Sequence, residues 1–291
     1  MTQSVLITGT STGLGLALSV LAAQSGFTVF ATMRDLSKRG PLDAALAAAG
    51  VTAEVLHLDV TDQTSVDAAV AAVISRHGSI DQLVNNAGAG FLRPVDLATE
   101  ADINGVLDVN LRGVIRCTRA VLPAMRAARS GRVIAISSVG GLVGQPFNEL
   151  YCAAKFGVEG FIEALSTYTG PAFGLHFTLV EPGGIASEFS DSAMKQFAVG
   201  GGIVDTDYQP LLNAYVAGVR ARAGEGGVNQ TAQQVAQVVL DCMTMDAPPV
   251  RLRTSDWAET FTRFKTVADP DGTHQQQDLI SRNFGRLPLV S

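Results

Sequence analysis

The chain predicts an α/β fold, a doubly wound parallel sheet in a single domain, and three observations predict it. An apolar run at Ser4 to Thr8 passes into a glycine-rich loop and then a helix rich in Leu and Ala, the arrangement of a phosphate cradle. Strand-like and helix-like segments then alternate along the chain, which implies parallel strands with helices on both faces. The residues with chemistry to offer fall at strand C-termini, where open α/β sheets bind ligands. This is a Rossmann-type organisation, and no repeat or linker divides its 291 residues.

Composition narrows the class. A 47% hydrophobic content supports a sizeable core, and the net charge of −6, without a run of Lys or Arg, speaks against nucleic acid as partner. The three cysteines, Cys117, Cys152 and Cys242, lack metal-ligand spacing, and the four histidines are scattered, so no metal is expected. Sparse, odd-numbered thiols suit a reducing compartment, so a cytoplasmic location is expected. The first strand starts almost at once, so no signal peptide is expected, and no apolar run is long enough for a membrane span.

In order, the strand over residues 4 to 8 leads into Gly9, Gly13 and Gly15 and a helix ending at Gly26. The next strand, residues 27 to 32, ends Ala31-Thr32-Met33-Arg34. An acidic residue at such an end suits the ribose hydroxyls of NAD, whereas an Arg suits a 2′-phosphate, so Arg34 points to NADP(H) over NAD(H). A solvated charge paired with Asp35 is the plainer reading of Arg34. An Ala-rich helix near residues 42 to 49 precedes a strand over 55 to 58 that ends at Asp59, and Thr61 or Asp62 can cap the helix running to His77. Leu83-Val84 leads a fourth strand into Asn85-Asn86-Ala87-Gly88. A helix over residues 100 to 122 carries Asn110, a poor mid-helix residue that is either incidental or marks a kink. Residues 133 to 136 form a fifth strand and residues 176 to 180 a sixth, which ends Glu181-Pro182-Gly183. The weakly patterned stretch 187 to 229 reads as a mobile lid over the substrate, with Phe189, Met194, Phe197 and Tyr208 available to close an apolar pocket. A helix over 231 to 243 and a short strand over 250 to 253 follow. The polar tail from 269 to 277 reads as loop, within a C-terminal extension of residues 254 to 291.

The stretch from Ser138 to Lys155 concentrates the chemistry. After the fifth strand, Gly140, Gly141, Gly144 and Pro146 mark a loop, and a helix covers residues 150 to 169, with Phe156, Ile162 and Leu165 available for its buried face. Tyr151 and Lys155, four apart, share one helix face. A nearby ammonium favours a phenolate, and a phenol so tuned exchanges a proton with an alcohol or carbonyl, while Ser138 can hold the same oxygen. Cys152 beside them reads as a small buried residue.

These motifs resemble the short-chain dehydrogenase/reductase family over roughly residues 4 to 187. Thr8-Gly9-Thr10-Ser11-Thr12-Gly13-Leu14-Gly15 is similar to its cofactor loop, Asn85-Asn86-Ala87-Gly88 to its fourth-strand motif, and Tyr151-x-x-x-Lys155, with Ser138 thirteen residues upstream, to its active site. The resemblance implies Tyr151 as general acid/base, Ser138 as holder of the substrate oxygen, and Lys155 as the group that binds the nicotinamide ribose and lowers the tyrosine pKa. It implies Asn110 as anchor of a water linked to Lys155, Asp59 and Val60 at the adenine, and Pro182 with Gly183 at the nicotinamide-side turn. Ile185 and Ser187 would hold the carboxamide, Ser187 keeping the hydroxyl of the usual threonine. Many NADP-preferring members carry a basic residue at the position of Thr12, which leaves Arg34 and Ser11 for the phosphate here. Within the family, Ala31-Thr32-x-Arg34-Asp35-Leu36, Val106-Leu107-Asp108-Val109-Asn110 and the 138 to 156 segment are similar to the hydroxysteroid and retinol dehydrogenase branch.

The expected activity is therefore an NADP(H)-dependent interconversion of a ketone or aldehyde with an alcohol on a bulky apolar substrate, by a carbonyl reductase or alcohol dehydrogenase forming a homodimer or homotetramer. A cofactor-binding redox sensor without turnover is the alternative on the same fold. It has no need of a complete proton relay, and all four candidate residues, Asn110, Ser138, Tyr151 and Lys155, are present. A sugar-nucleotide epimerase shares Tyr-x-x-x-Lys, but the Asn-Asn-Ala-Gly motif and the short region after Pro182 speak against it.

Overall fold

The computed structural model describes residues 2–186, 207–223 and 229–284. Its core is a seven-stranded sheet made of β1 (Ser4–Thr8), β2 (Thr28–Met33), β3 (Glu54–His57), β4 (Gln82–Asn85), β5 (Gly131–Ile136), β6 (Leu175–Glu181) and β9 (Arg251–Arg253). The order is β3-β2-β1-β4-β5-β6-β9 with every pairing parallel. The direction of winding reverses between β1 and β4, which opens a crevice above their C-terminal ends.

Alternation along the strands sorts side chains into two cores. Leu6, Phe30, Leu83, Val133 and Leu179 face α3 (Gln63–His77), α5 (Gly113–Ala128) and α6 (Glu149–Phe173). Val5, Ile7, Val29, Val84, Ile134 and Val180 face α1 (Gly13–Gln24), α2 (Gly40–Ala48) and α8 (Ala232–Thr244). Each fully buried Leu or Ile contributes about 1.5–3 kcal/mol by leaving water, so both faces hold the strand ends rigidly.

Local chemistry sets the helix ends. Asp62 rather than Thr61 caps α3, accepting from Thr64 N at 2.9 Å. The helix expected over 100 to 122 is two, α4 (Glu100–Leu107) and α5, joined by a π turn at Asp108–Arg112 that contains Asn110. Asn110 therefore marks a break in the regular ladder. Its Oδ1 accepts from Ala89 N at 3.1 Å, and its Nδ2 donates to Ala89 O and Val106 O at 2.9 and 3.0 Å.

Three expectations change. Phe156 is 43% exposed, because the buried stripe of α6 runs through Tyr151's neighbours Cys152 and Lys155 to Glu159, Ile162 and Ser166, about 100° away. The 269 to 277 tail is not loop throughout, since α10 (Thr273–Phe284) begins inside it after Asp271 accepts from Thr273 N. The preceding α9 (Asp256–Thr266), capped by Ser255, was hidden in sequence by its short apolar stripe. Within the stretch read as weakly patterned lies α7 (Gln209–Ala223). A two-stranded parallel ladder, β7 (Gly184–Ala186) with β8 (Asn229–Thr231), flanks it.

Candidate active site

One cleft of about 1880 Å³ runs across the C-terminal strand ends. That exceeds the 300–1,000 Å³ of a typical single-ligand pocket, leaving room for a dinucleotide and a second molecule.

Its first half is built from backbone. Gly9, Ser11, Thr12, Gly13, Leu14 and Gly15 line it between β1 and α1. A Cβ on Gly15 would meet Gly9 O at 2.2 Å and Asn86 Nδ2 at 2.5 Å. Only glycine allows that approach of helix, loop and β4 end. Asn86 ties them by donating from Nδ2 to Thr8 O and Gly9 O at 2.8 and 2.9 Å. Thr12 precedes α1 without making a side-chain cap, and the first turn has no acidic residue. The opening amides of α1 thus keep their donors for an anionic group, so the residues present fit a pyrophosphate. Ala87 and Gly88 continue the wall.

The β2 end carries the charge. Thr32, the residue read there in sequence, is fully buried and donates to Ile7 O at 3.0 Å, so the cleft-facing residues are Met33 and Arg34. Arg34 is exposed and makes no ion pair within 4.0 Å among the described residues. Asp35 does not pair with it and instead accepts from Ser37 N and Oγ at 3.0 and 2.6 Å, starting the 3₁₀ turn Leu36–Lys38. That turn brings Lys38 onto the cleft beside Arg34, a cation the sequence signal did not isolate. Asp59 and Val60 line the neighbouring wall. Burial raises the Asp59 carboxyl, but bonds from Thr61 N and Oγ at 2.9 and 2.7 Å outweigh it, with help from Arg34, and hold it below its ordinary value.

The second half is built from side chains. Ser138, at the end of β5, starts a 3₁₀ turn by accepting from Gly140 N at 3.0 Å. Tyr151, on the first turn of α6, hydrogen-bonds Ser138. Lys155 is buried one turn further on and donates from Nζ to Ile136 O at 2.8 Å, with Nζ 5.7 Å from the Tyr151 ring centre. The expected lowering of the phenol is reversed. Burial pushes Tyr151 up to about 12 against the pull of Ser138, and pushes Lys155 down to about 8 despite Glu159. Desolvation is the largest cause for both groups. The phenol therefore holds its proton at neutral pH and is a donor.

Pro182, Gly183 and Ile185 close this end, and Pro182 O accepts from Val139 N at 2.9 Å. Of the residues expected from sequence, Asn110 does not reach the cleft, being fully buried behind it as the brace of Ala89. Ser187, Phe189, Met194 and Phe197 lie outside the described residues. Tyr208 is described, in an apolar cluster with Phe147, Leu212 and Tyr215. Phe147 and Tyr215 rings lie 5.6 Å apart, and Phe147 holds a φ of 62°, an uncommon conformation for a bulky residue. Sequence reading also passed over Trp257 and Phe261 of α9, stacked with ring centres 4.8 Å apart on the outer wall. No local motif joins them to Tyr151.

Fold and cleft together define a nicotinamide-dependent oxidoreductase. The family model described as short chain dehydrogenase matches residues 3–197, and the chain belongs to that family. It is 39% identical over 293 aligned residues to estradiol 17-beta-dehydrogenase 1 of Rattus norvegicus, covering 98% of this chain and 83% of that protein. To retinol dehydrogenase 8 of Bos taurus it is 36% identical over 278 residues, 93% and 87% of the two chains. Among solved structures, a short-chain dehydrogenase from Streptomyces avermitilis superposes with a TM-score of 0.75 at 28% identity, covering 98% of this chain and all of that one. Actinorhodin polyketide ketoreductase with NADPH gives 0.73 at 28% identity, covering 87% and 95%. Among the described residues no helix is long and apolar enough to cross a membrane.

Proposed function

We propose that the chain is an NADP(H)-dependent carbonyl reductase or alcohol dehydrogenase acting on a bulky, apolar ketone, aldehyde or alcohol, with Tyr151 as proton donor and acceptor. The observation that carries the reading is the meeting of Ser138, Tyr151 and Lys155 at the inner end of a dinucleotide-sized cleft. The relatives named for estradiol and retinol support an apolar substrate, as do Val143, Tyr215, Val219, Trp257 and Phe261 on the outer wall.

The α1 amides would hold the pyrophosphate, Asp59 and Val60 the adenine, and Arg34 and Ser11, joined by Lys38, a 2′-phosphate. A bound nicotinamide supplies or accepts the hydride. Ser138 holds the substrate oxygen and orients it toward Tyr151. Tyr151 Oη gives its proton to that oxygen during reduction and recovers it from solvent afterwards. Lys155 Nζ, anchored on Ile136 O, would hold the cofactor ribose and keep positive charge near the phenol. Ile185 and Ser187 remain candidates for the carboxamide, and assembly as a homodimer or homotetramer is part of the proposal.

The test is Tyr151→Phe. A lost general acid should lower kcat by about 10²–10⁴-fold, with NADPH affinity, measured by fluorescence, within about twofold of wild type. Near-normal reduction of a ketone panel would sink the assignment.

A further inference from the structure

Three consecutive residues at the end of β5 each engage one rung of α6. Ser138 meets Tyr151, Ile136 O accepts from Lys155, and Ser137 Oγ donates to Glu159 Oε1. Residues 151, 155 and 159 are spaced i, i+4, i+8, so one helix face carries all three. The third rung has no place in the function proposed above. Glu159 is 6% exposed and Glu181, at the end of β6, is fully buried. Gly141 makes the approach possible, because a Cβ there would lie 2.8 Å from Ser137 Oγ and 3.0 Å from Glu159 Oε1.

The carboxyls of Glu159 and Glu181 are in hydrogen-bond contact. Glu159 Oε2 and Glu181 Oε1 have no donor among the other described groups. Two carboxylate oxygens in contact both accept, so such a contact is satisfied only when one of the acids keeps its proton. Among the described residues the charged neighbours of the pair come from three elements. Lys155 and Glu163 lie on α6, Arg251 and Arg253 on β9, and Glu259 on α9. Arg253 contacts Glu181 at 3.2 Å and Glu259 at 2.9 Å, while Arg251 contacts Glu163 at 2.6 Å. Among the described residues Arg251 and Arg253 both attract the pair but are already engaged by Glu163 and Glu259, and Lys155 is the further cation that Glu159 acts on.

We propose that Glu159 is a positioning residue of the active site: with Glu181 it forms a one-proton carboxyl pair beneath the β5 end, and that pair holds Lys155 in its ammonium form as pH rises. The inference rests on the proposed role of Lys155. When the pair releases its proton to solvent its charge goes from −1 to −2, and the added charge lies one helical turn from Lys155, close enough for Glu159 to raise it. The groups titrate as a coupled set. Burial and the nearby Glu181 charge push the Glu159 acid well above its ordinary value, against the Ser137 bond, and Glu159 in turn raises Lys155.

The experiment uses the full chain. Infrared spectra from about pH 5 to about pH 10 follow the carbonyl band of a protonated carboxylic acid. The band should persist past neutral pH in wild type and disappear in Glu159→Gln, and its absence from wild type overturns the pair without touching the Tyr151 assignment. NADPH binding is then titrated by fluorescence over the same range. In Glu159→Gln the alkaline loss of affinity should move about one pH unit lower, with affinity near pH 6 unchanged. A midpoint that stays in place, or a uniform loss at every pH, makes Glu159 structural only and overturns the proposal. Should Glu159→Gln not fold, Ser137→Ala serves. It removes a bond that favours the ionised acid, so the band should persist to higher pH, and an unmoved band counts against the pair.

Discussion

The two halves of the cleft are made of different material. From β1 to β4 the wall is mostly backbone, held in place by close approach: Gly15 against Gly9, and Asn86 against Thr8 and Gly9. From β5 onward it is side chain, with a hydroxyl, a phenol, an ammonium and two carboxyls withdrawn from water. The first half binds through donors any sequence carries, provided its packing permits. The second acts through groups whose protonation its burial sets. Substitutions in the first half should therefore fail by sterics and be insensitive to pH, and those in the second should show themselves in pH profiles.

The largest effect is expected at Gly15. Gly15→Ala places a methyl 2.2 Å from Gly9 O, which the loop can relieve only by moving away from β4. Cofactor affinity should fall by at least about 100-fold, and overpacking should cost about 1–3 kcal/mol of stability. Calorimetric titration with NADPH and a urea melt measure both. Binding within tenfold of wild type would break the claim that close approach organises this half.

Next comes the charge at the β2 end. A charge-assisted bond contributes about 1.5–3 kcal/mol, and about 1.4 kcal/mol is tenfold. Arg34→Ala should therefore reduce an NADPH over NADH preference by roughly ten- to a hundredfold, sparing NADH, with Lys38→Ala doing the same more weakly. The ratio of kcat/KM for the two cofactors decides it, and a wild type that prefers NADH refutes the reading. The converse substitution at Thr32 is a poor test, because that side chain is turned into the sheet and a carboxylate there would be buried without a partner.

Much of this was legible in sequence, for a physical reason. Close approach demands glycine at fixed offsets, and a Tyr and Lys that share a helix face stand three or four apart, so both leave local patterns. The parallel sheet followed from the strand and helix alternation, whereas the strand order comes from the structure. Three kinds of feature left none. The fate of the Tyr151 proton depends on burial, which spacing does not report, so the expected lowering came out as a rise to about 12. Asn110 spends its side-chain amide on Ala89 and Val106, a bracing role that its place in the sequence does not report. Lys38, Trp257 and Phe261 reach the cleft only through the 3₁₀ turn and α9, and neither announces itself by motif.

A smaller and sharper effect concerns pH. Burial holds Lys155 at about 8, below its ordinary 10.5. Between those values the unfolded chain keeps a proton that the native protein has released. The unfolded state then binds more protons, and stability rises with pH across the window. Lys155→Met should remove that slope and raise the melting temperature at neutral pH while abolishing turnover. In wild type NADPH affinity should weaken as pH passes about 8, by up to tenfold per unit. Gly15→Ala should leave the pH slope of stability unchanged, which separates the two halves in one set of melts.

The smallest effect belongs to the outer wall, where the two halves meet the substrate. Trp257 and Phe261 stack nearly parallel, at 12° and 4.8 Å, and Phe261 is 37% exposed on the cleft. A flat pair with one free face suits a ring or extended apolar chain. Ser138 and Tyr151 need only the carbonyl, so this wall should sort substrates by size without touching the chemistry. Phe261→Ala removes part of that face, and the loss of one aromatic contact is worth about 0.5–1.5 kcal/mol beyond its area. KM for a bulky polycyclic ketone should rise by roughly three- to tenfold, with kcat unchanged, because the contact is made equally in the ground and transition states. A small ketone such as cyclohexanone should show neither change. Equal losses on both substrates would mean that Phe261 supports the β5 end through α9, and would move it from the substrate wall to the scaffold of the catalytic half.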